Sequence, residues 1–322
     1  MDTQRRTEAI EDRWSILYRG SLSSCNYACT YCPFAKTKNT RAELQADKTQ
    51  LLRFVDWVGA QRRGIGILFT PWGEGLIRRY YQEQIARLSH MDHVHRVSIQ
   101  TNLTCTLKWV DACDLEKVAL WTTYHPTQIE MQAFLDKCHA LHEKGMRFSV
   151  GVVGFKEAFE DIEQMRAQLP EDVYLWVNAY KREPHYYTEG DLRWIEQIDP
   201  LFRYNTRYHW SKQADCHGGY TMFTVDEHGD ARRCHFIKDV IGNIYEEGFE
   251  ASLYRRPCQN ERCGCHIGYT HMDQLNLYET FGSGLLERIP DGEVWRQARA
   301  KQEAIERARQ MLGEHTSTHP TV

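Results

Sequence analysis

Three cysteines, Cys25, Cys29 and Cys32, lie within eight residues directly after an apolar segment. Clustered cysteines of this kind in a reducing compartment indicate a metal site or catalysis before disulfides. Cysteine thiolates hold iron–sulfur clusters, usually through four ligands. Because only three thiolates lie in this loop, a fourth iron could bind an exogenous ligand. A structural zinc ion is the alternative, although zinc sites favour paired arms and four protein ligands.

The last third of the chain contains a second group of cysteines. Cys216 precedes a predicted β-hairpin with its turn at 226–229, and Cys234 ends its return strand. A hairpin brings its two ends together, so both thiols could face one site. Cys258, Cys263 and Cys265 follow and can supply further ligands. Four or five converging thiolates suit either an iron–sulfur cluster or zinc.

Composition narrows the possible functions of the 322-residue chain. The formal net charge is −4, which argues against a dedicated nucleic-acid-binding protein because such domains are usually strongly basic. No apolar run approaches the ~20 residues of a membrane span. Residues 1–6 lead into mixed charges and not into an apolar segment, so we expect no secretory signal. The expected compartment is the cytoplasm, where thiols stay reduced.

The elements that must position these cysteines alternate between strand and helix from about residue 13 to 182. The six predicted strands are Trp14–Tyr18, Gly66–Thr70, Val97–Gln100, Val118–Thr122, Phe148–Val153 and Val173–Val177. Such alternation predicts βαβ units and a parallel sheet. Six units are two short of a closed eight-unit barrel. We therefore predict an α/β fold, a partial (β/α)6 TIM-type barrel with a small C-terminal cysteine-rich domain of a β-hairpin plus helix.

The domain boundaries follow from the same pattern. We expect an N-terminal extension at 1–12, the partial barrel at 13–190 and the cysteine-rich domain at 191–290. A helix is predicted at 291–313, where the sequence is rich in Ala, Arg, Glu and Gln, and a frayed tail at 314–322.

The segment Cys25-x3-Cys29-x-Tyr31-Cys32 resembles the cysteine motif of the radical S-adenosylmethionine (radical SAM) superfamily. The resemblance implies a [4Fe–4S] cluster held by the three cysteines, whose fourth iron binds S-adenosyl-L-methionine (AdoMet). It also implies that the aromatic Tyr31 belongs to the cofactor site. Members of the superfamily cleave AdoMet reductively to methionine and a 5′-deoxyadenosyl radical.

Two further segments resemble the cofactor-binding parts of that superfamily. Pro71–Gly75 is similar to a Gly-Gly-Glu segment, which implies that Gly73 and Glu74 hold the methionine amino group, with Trp72 at the first glycine. A solvated loop carboxylate is the alternative for Glu74. Gln100 and Asn102, at the end of the third strand, lie where the resemblance places ribose contacts.

A third segment, Val150–Glu157, resembles a pattern that supports the adenine ring, with Val150 at its first glycine. The resemblance implies adenine contacts at Val152, Gly154 and Glu157. Gly154 and Glu157 could equally end a strand and begin a helix.

Two groups at strand ends are candidates for substrate chemistry. Tyr124 and His125 follow the fourth strand, and catalytic groups of parallel barrels lie at the carboxyl ends of strands. They are candidates for substrate contact or proton transfer, and a histidine packed in a turn before Pro126 is the alternative. Tyr180–Arg182, after the sixth strand, could bind an anionic group or form a solvated loop.

The cysteine-rich segment resembles the twitch domain, the shortened relative of the SPASM domain. The resemblance implies one auxiliary [4Fe–4S] cluster held by Cys216, Cys234 and two of Cys258, Cys263 and Cys265; zinc remains an alternative. Cys263–Tyr269 and Ile16–Gly20 look like a bacterial family of uncharacterised radical enzymes encoded near sulfatase-like proteins.

The resulting hypothesis is a radical SAM enzyme that abstracts hydrogen from a C–H bond of a peptide, protein or small-molecule substrate. We expect a net oxidation aided by the auxiliary cluster. Its expected partner is a cellular one-electron reductant of the flavodoxin or ferredoxin type, and neither nucleic acid nor a membrane is expected. The alternative is a non-catalytic binding or electron-transfer protein stabilised by zinc or an iron–sulfur cluster.

Overall fold

The computed structural model describes residues 13–32, 34, 37–293, 295–296, 300, 304 and 307. Its centre is a nine-stranded sheet, in which six strands lie side by side in chain order and three later strands extend the edge formed by the first. Strands β1 to β6 are Arg13–Arg19, Gly64–Phe69, Val94–Thr101, Val118–Thr123, Arg147–Val153 and Tyr174–Asn178. Consecutive strands of this series pair in parallel. The predicted α/β fold with a mostly parallel sheet is confirmed, and all six predicted strands are present.

Helices cover the outer face of this sheet. Their bounds are α1 Arg41–Gly59, α2 Arg79–Ser89, α3 Met131–Glu143, α4 Phe159–Gln168, α5 Glu189–Ile198 and α6 Phe202–Asn205. Helix α1 begins at Thr40, where Thr40 and Glu43 accept each other's backbone N–H in a capping box. The link between β3 and β4 is instead a 3₁₀ helix, Leu107–Ala112. Fully buried side chains such as Ile16, Leu120 and Phe134 form the core between sheet and helices.

The predicted hairpin is present, and its first strand extends the main sheet. Strand β8, Met222–Asp226, pairs in parallel with β1, and β9, Asp230–Arg232, returns beside it. Strand β10 is Val240–Asn243. Because Met222 and Phe223 are both buried, β8 has two apolar faces, as an interior strand of a parallel sheet requires.

The remaining elements follow or flank the hairpin. A separate two-stranded sheet joins β7, His209–Trp210, to β11, Arg262–Cys263. Two short helices come next, α7 at His266–Tyr269 and α8 at Leu277–Phe281. No helix in the described ranges has both the length and the apolar character that crossing a membrane requires.

The segment after α8 fills the concave side of the curved sheet. Leu286 packs in one apolar cluster with Leu17, Leu68 and Trp121, which point inward from their strands. Glu287 is fully buried and forms ion pairs with Arg96 at 3.3 Å and Arg147 at 3.1 Å. The interior of the barrel is therefore completed by residues distant in sequence from its strands. The predicted helix at 291–313 lies mostly outside the described residues, and the predicted segments 1–12 and 314–322 lie entirely outside them.

Candidate active site

A cavity of about 740 Å³ opens at the carboxyl ends of the parallel strands. This volume lies within the ~300–1,000 Å³ range of small-molecule sites. The cavity brings together many of the residues that the sequence predicts for the cofactor and metal sites. They are Cys25, Cys29, Tyr31, Cys32, Gly73, Glu74, Gln100, Asn102, His125 and Cys265.

The loop after β1 presents three thiols to this cavity. Cys29 is buried, whereas Cys25 and Cys32 are half-buried. The Cys25 sulfur accepts hydrogen bonds from the backbone nitrogen of Tyr27 at 3.4 Å and from Asn102 Nδ2 at 3.6 Å. Donors aimed at a sulfur favour its thiolate form, which is the form that binds iron. The loop therefore fits a cluster with three protein ligands.

The loop after β2 lies directly against the cysteine loop. The backbone nitrogens of Gly73 and Glu74 donate to the carbonyls of Leu22 and Ser24, both at 3.1 Å. A Cβ atom on Gly73 would lie 2.0 Å from the Ser24 carbonyl oxygen, so only glycine fits at this position. The close backbone approach thus occurs at Gly73, while Trp72 is partly exposed and stacks on Arg19 at 4.0 Å.

The Glu74 carboxylate is buried and not solvated. It accepts from Thr101 Oγ1 at 2.8 Å, from the Asn102 nitrogen at 2.7 Å and from the Leu76 nitrogen at 3.0 Å. Burial raises the pKa of Glu74, and these three donors act in the opposite direction. A carboxylate offers about four acceptor positions, so one remains for a ligand that lines the cavity.

Tyr31 and His125 form a pair beside the thiols. The Tyr31 hydroxyl lies 2.8 Å from His125 Nδ1, and the same nitrogen lies 3.6 Å from the Cys29 sulfur. Burial lowers the pKa of His125 to about 4, so its ring is neutral near pH 7. Burial likewise raises the pKa of Tyr31, which keeps its hydroxyl protonated. Tyr31 therefore fixes the orientation of the imidazole.

Other predicted site residues point away from the cavity. Tyr124 packs on Phe134 of α3, because adjacent residues at a strand end face opposite sides. Val152 lies in the outer core for the same reason, and its neighbour Val153 lines the cavity. Gly154 is buried outside the lining, where Tyr187 donates to its carbonyl at 2.6 Å. Glu157 is exposed on the surface.

Four cysteines of the second group line one small cavity next to the barrel. They are Cys216, Cys234, Cys258 and Cys263. The Cys258 segment is joined to the Cys216 segment by a hydrogen bond from the Cys258 nitrogen to the Ala214 carbonyl at 3.1 Å. The remaining lining includes Phe236, Ile237 and Met272. This set of four thiols in apolar surroundings fits a cluster with four protein ligands.

Arg233 connects the three segments that supply these thiols. It is almost fully buried next to Cys234. Its Nε donates to the Gly218 carbonyl at 3.0 Å, close to Cys216, and its terminal nitrogens donate to the carbonyls of Arg256 and Pro257, which precede Cys258. A single guanidinium thus holds the cysteine-bearing segments in place through three hydrogen bonds.

Cys265 is separated from this group. It lines the 740 Å³ cavity together with Lys181 and Arg288 and is accessible through it. Burial raises the pKa of its thiol, and the positive charges of Lys181 and Arg288 act in the opposite direction. Among the described residues, no three His, Cys, Asp or Glu side chains are grouped closely enough to hold one metal ion.

The floor of the large cavity contains residues that the sequence analysis missed. Trp121 and Trp176 point inward from β4 and β6, and Arg288 lies 4.2 Å from the Trp176 ring centre. The Trp176 indole fits here because residue 151 is a glycine. A Cβ atom on Gly151 would lie 1.9 Å from the ring. The positions of Trp121 and Trp176 within their predicted strands could have indicated that both side chains face the barrel interior. No local sequence pattern indicated that Arg288 lies in the same cavity.

Comparison with known proteins agrees with this geometry. Residues 22–128 match the model described as the Radical SAM superfamily, so the chain contains a radical SAM domain there. The matched part includes the three cysteines of the first loop, Glu74 and His125. The sequence matches no curated protein.

Solved structures that match this chain share little sequence with it. One is native anSMEcpe with bound AdoMet and Cp18Cys peptide, at 14% identity and a TM-score of 0.50, covering 93% of this chain and 99% of that one. Native anSMEcpe with bound AdoMet has 13% identity and a TM-score of 0.48, covering 92% and 98%. BtrN in complex with AdoMet and 2-DOIA has 16% identity and a TM-score of 0.31, covering 74% and 81%.

Proposed function

We propose that this chain, which carries a radical SAM domain in residues 22–128, is a radical SAM enzyme that abstracts a hydrogen atom from a C–H bond of its substrate. One observation carries the proposal. The loop with Cys25, Cys29 and Cys32 and the loop with Gly73 and Glu74 are hydrogen-bonded together and open into one large cavity.

Different residues that line this cavity would bind different parts of the cofactors. Cys25, Cys29 and Cys32 would hold a [4Fe–4S] cluster, which on reduction supplies the electron that cleaves AdoMet to methionine and a 5′-deoxyadenosyl radical. Glu74 has one free acceptor position for the ammonium group of AdoMet. Asn102 and Gln100 line the wall beside it and are candidates for the ribose.

The floor of the cavity would hold the substrate. Trp121, Trp176 and Phe155 give the cavity rigid apolar faces that limit the movement of a bound molecule. His125 is held by Tyr31 and, being neutral, can accept or donate one proton at the nitrogen that does not face Tyr31. Tyr31 then acts as a positioning residue for His125.

We also propose that Cys216, Cys234, Cys258 and Cys263 hold one auxiliary [4Fe–4S] cluster. The supporting observation is that these four thiols line one cavity while Cys265 lines the other. Four cysteine thiolates are the ligand set of a [4Fe–4S] cluster and also of a structural zinc ion, and the metal content of the purified protein distinguishes the two. A cluster there would supply an electron acceptor, which a net oxidation of the substrate requires.

The substrate class proposed is a peptide, a protein or a small molecule. A peptide is bound together with AdoMet in the anSMEcpe structure of similar fold, which supports a peptide or protein substrate here. The reductant proposed is a flavodoxin or ferredoxin, and the proposed compartment is the cytoplasm, where such reductants and free thiols coexist.

Iron content and AdoMet cleavage test the proposal together. Protein reconstituted without oxygen should bind roughly eight irons, as two cubane clusters require, and should form 5′-deoxyadenosine with dithionite. Replacing Cys25, Cys29 and Cys32 together by Ala should leave about half of the iron and abolish 5′-deoxyadenosine formation. Full formation by that variant, or colourless protein with zinc, would contradict the proposed function.

A further inference from the structure

The cavity is unevenly charged. Four cationic side chains of the described residues line it, namely Lys38, Lys181, Arg182 and Arg288. The only carboxylate among the described lining residues is Glu74, which has three hydrogen-bond donors of its own. An anionic ligand would therefore enter a site of complementary charge.

Arg288 is the cation that points to a ligand most directly. Arg288 is 3% exposed. Its Cζ atom lies 4.2 Å from the centre of the Trp176 ring, on which the guanidinium stacks, and 5.8 Å from the centre of the Trp121 ring. It forms no hydrogen bond or ion pair with any residue that the structure describes. Stacking leaves the edges of a guanidinium, which carry its N–H donors, free to bind.

Asp199 is a buried carboxylate whose charge interacts with that of Arg288, with no hydrogen bond between these two residues. Asp199 is fully buried, and its two oxygens accept from the Tyr174 hydroxyl, the Val177 nitrogen and the Leu201 nitrogen. A buried cation is normally paired, since an isolated one is costly. Because the Asp199 oxygens are already occupied by other donors, a hydrogen-bonding partner for the Arg288 guanidinium is expected to arrive with a ligand.

Two more donors lie on the same wall. Lys181 Nζ donates to the Gly264 carbonyl and to Asn205 Oδ1 at 3.3 Å, which leaves one of its three hydrogens. His266 is 5% exposed, and its Nε2 has no hydrogen-bond partner among the described residues. Its other ring nitrogen lies 3.4 Å from the Tyr269 hydroxyl. When that hydroxyl donates, Nε2 carries the hydrogen and donates into the cavity.

We propose that Arg288, Lys181 and His266 bind a carboxylate group of the substrate on the floor of the cavity. Arg288 matches a carboxylate with two parallel hydrogen bonds, and the other two groups add one donor each. Four donors suit two carboxylate oxygens better than the three oxygens of a phosphate dianion. The proposal rests on the proposed function and names the substrate class of that site.

Saturation-transfer NMR with N-acetylglycine tests this assignment on the cluster-loaded protein saturated with AdoMet. N-acetylglycine should give a signal, and the neutral N-acetylglycinamide should bind at least tenfold more weakly. Arg288→Met should lose the signal, whereas Arg79→Met, at an exposed position on α2, should keep it. Arg288→Lys should retain a weaker signal, because it keeps the charge and loses the fork. AdoMet affinity should stay within twofold in each variant.

Four results would overturn the assignment. They are equal binding of acid and amide, a signal unchanged in Arg288→Met, displacement of N-acetylglycine by phosphate at lower concentrations than by acetate, and a parallel loss of AdoMet affinity. If Arg288→Met does not fold, Lys181→Met carries the same comparison, with an expected tenfold weakening. The probe reports binding without AdoMet cleavage, so its failure is distinguishable from a failure of the proposed function.

Discussion

Glu74 accepts a hydrogen bond of 2.7 Å from the backbone nitrogen of Asn102, so two segments 28 residues apart form one wall of the site. Asn102 in turn donates to the Cys25 sulfur at 3.6 Å. The acidic side chain after β2 thereby fixes the end of β3, and the end of β3 supports a cysteine of the first loop. Glu74 consequently has a structural role whatever it also binds.

Glu74→Gln should weaken AdoMet binding without loss of iron. The change removes the charge that pairs with the ammonium group of AdoMet, and a charge-assisted hydrogen bond is worth ~1.5–3 kcal/mol. We expect affinity for AdoMet to fall roughly ten- to a hundredfold in equilibrium dialysis. The free energy of unfolding should also fall by about 1–3 kcal/mol, because the amide cannot satisfy all three donors. The control is Glu83→Gln, at an exposed position of α2. An unchanged AdoMet affinity in Glu74→Gln would leave Glu74 with its structural role alone.

The two cysteines at 263 and 265 should differ in their effect on iron. Cys263→Ser should lower the iron content of the auxiliary site, because Cys263 lines the small cavity with three other thiols. Cys265→Ser should leave the iron content unchanged, because Cys265 lines the large cavity. Iron assay and electron paramagnetic resonance of the reduced variants measure the difference. Iron loss in Cys265→Ser with full iron in Cys263→Ser would reverse the assignment of ligands.

Glu287→Leu should destabilise the fold strongly. The substitution leaves Arg96, whose side chain is 8% exposed, as a buried charge without its carboxylate. Breaking a buried ion pair from one side costs ~3–5 kcal/mol. Urea unfolding followed by circular dichroism should show this loss, whereas Glu83→Leu at the exposed pair with Arg79 should cost about 1 kcal/mol or less. The double variant Arg96→Met, Glu287→Leu should recover part of the loss; equal stability of single and double variants would show that burial of the charge is not the cause.

His95 should make the protein sensitive to mild acid. Burial, aided by Arg13, Arg96 and Lys117, lowers its pKa to about 4, below the ~6.5 of an unfolded chain. Between these pH values the unfolded chain binds the extra proton, so the free energy of unfolding falls as the pH falls from 6.5 to 4. The loss at pH 5 would be up to ~2 kcal/mol.

Urea unfolding of the wild type and His95→Gln at pH 7 and pH 5 checks this prediction. The variant should lose less stability than the wild type over this interval, whereas His139→Gln on α3 should behave as the wild type does. An identical loss in the wild type and in His95→Gln would assign the acid sensitivity to other groups.

The barrel could be predicted from the sequence because its strands are apolar on both faces and its helices repeat every three to four residues. The start of α1 at Thr40 and the buried Cys138 of α3 follow from such local patterns. The pairing of β8 with β1 could not be predicted in this way. About 200 residues separate the two strands, and no local sequence pattern specifies which strands pair. It depends on the whole sheet.

The candidate site shows the same division. The cysteine motif predicted the loop at Cys25–Cys32, and helical or strand periodicity predicted which elements end nearby. Tyr124 was assigned to the site by its place after a strand and Val152 by a family resemblance, but the side-chain alternation of a strand end turns both toward the outer core. The spacing of Cys258, Cys263 and Cys265 is compatible with several ligand sets, so the sequence could not show which cysteines share a cavity. The three-dimensional structure shows it, because Arg233 joins the segments that carry these cysteines.

The filling of the barrel by residues 285–288 has a consequence for synthesis of the chain. All nine strands of the main sheet are complete at Asn243, more than 40 residues before Glu287 reaches Arg96 and Arg147. Since chains begin to fold from the N-terminus during translation, the nascent sheet emerges from the ribosome with a hollow interior. For that interval Arg96 and Arg147 lack the Glu287 carboxylate that pairs with them in the complete chain. Residues 285–288 complete the interior of the barrel only when they in turn leave the ribosome.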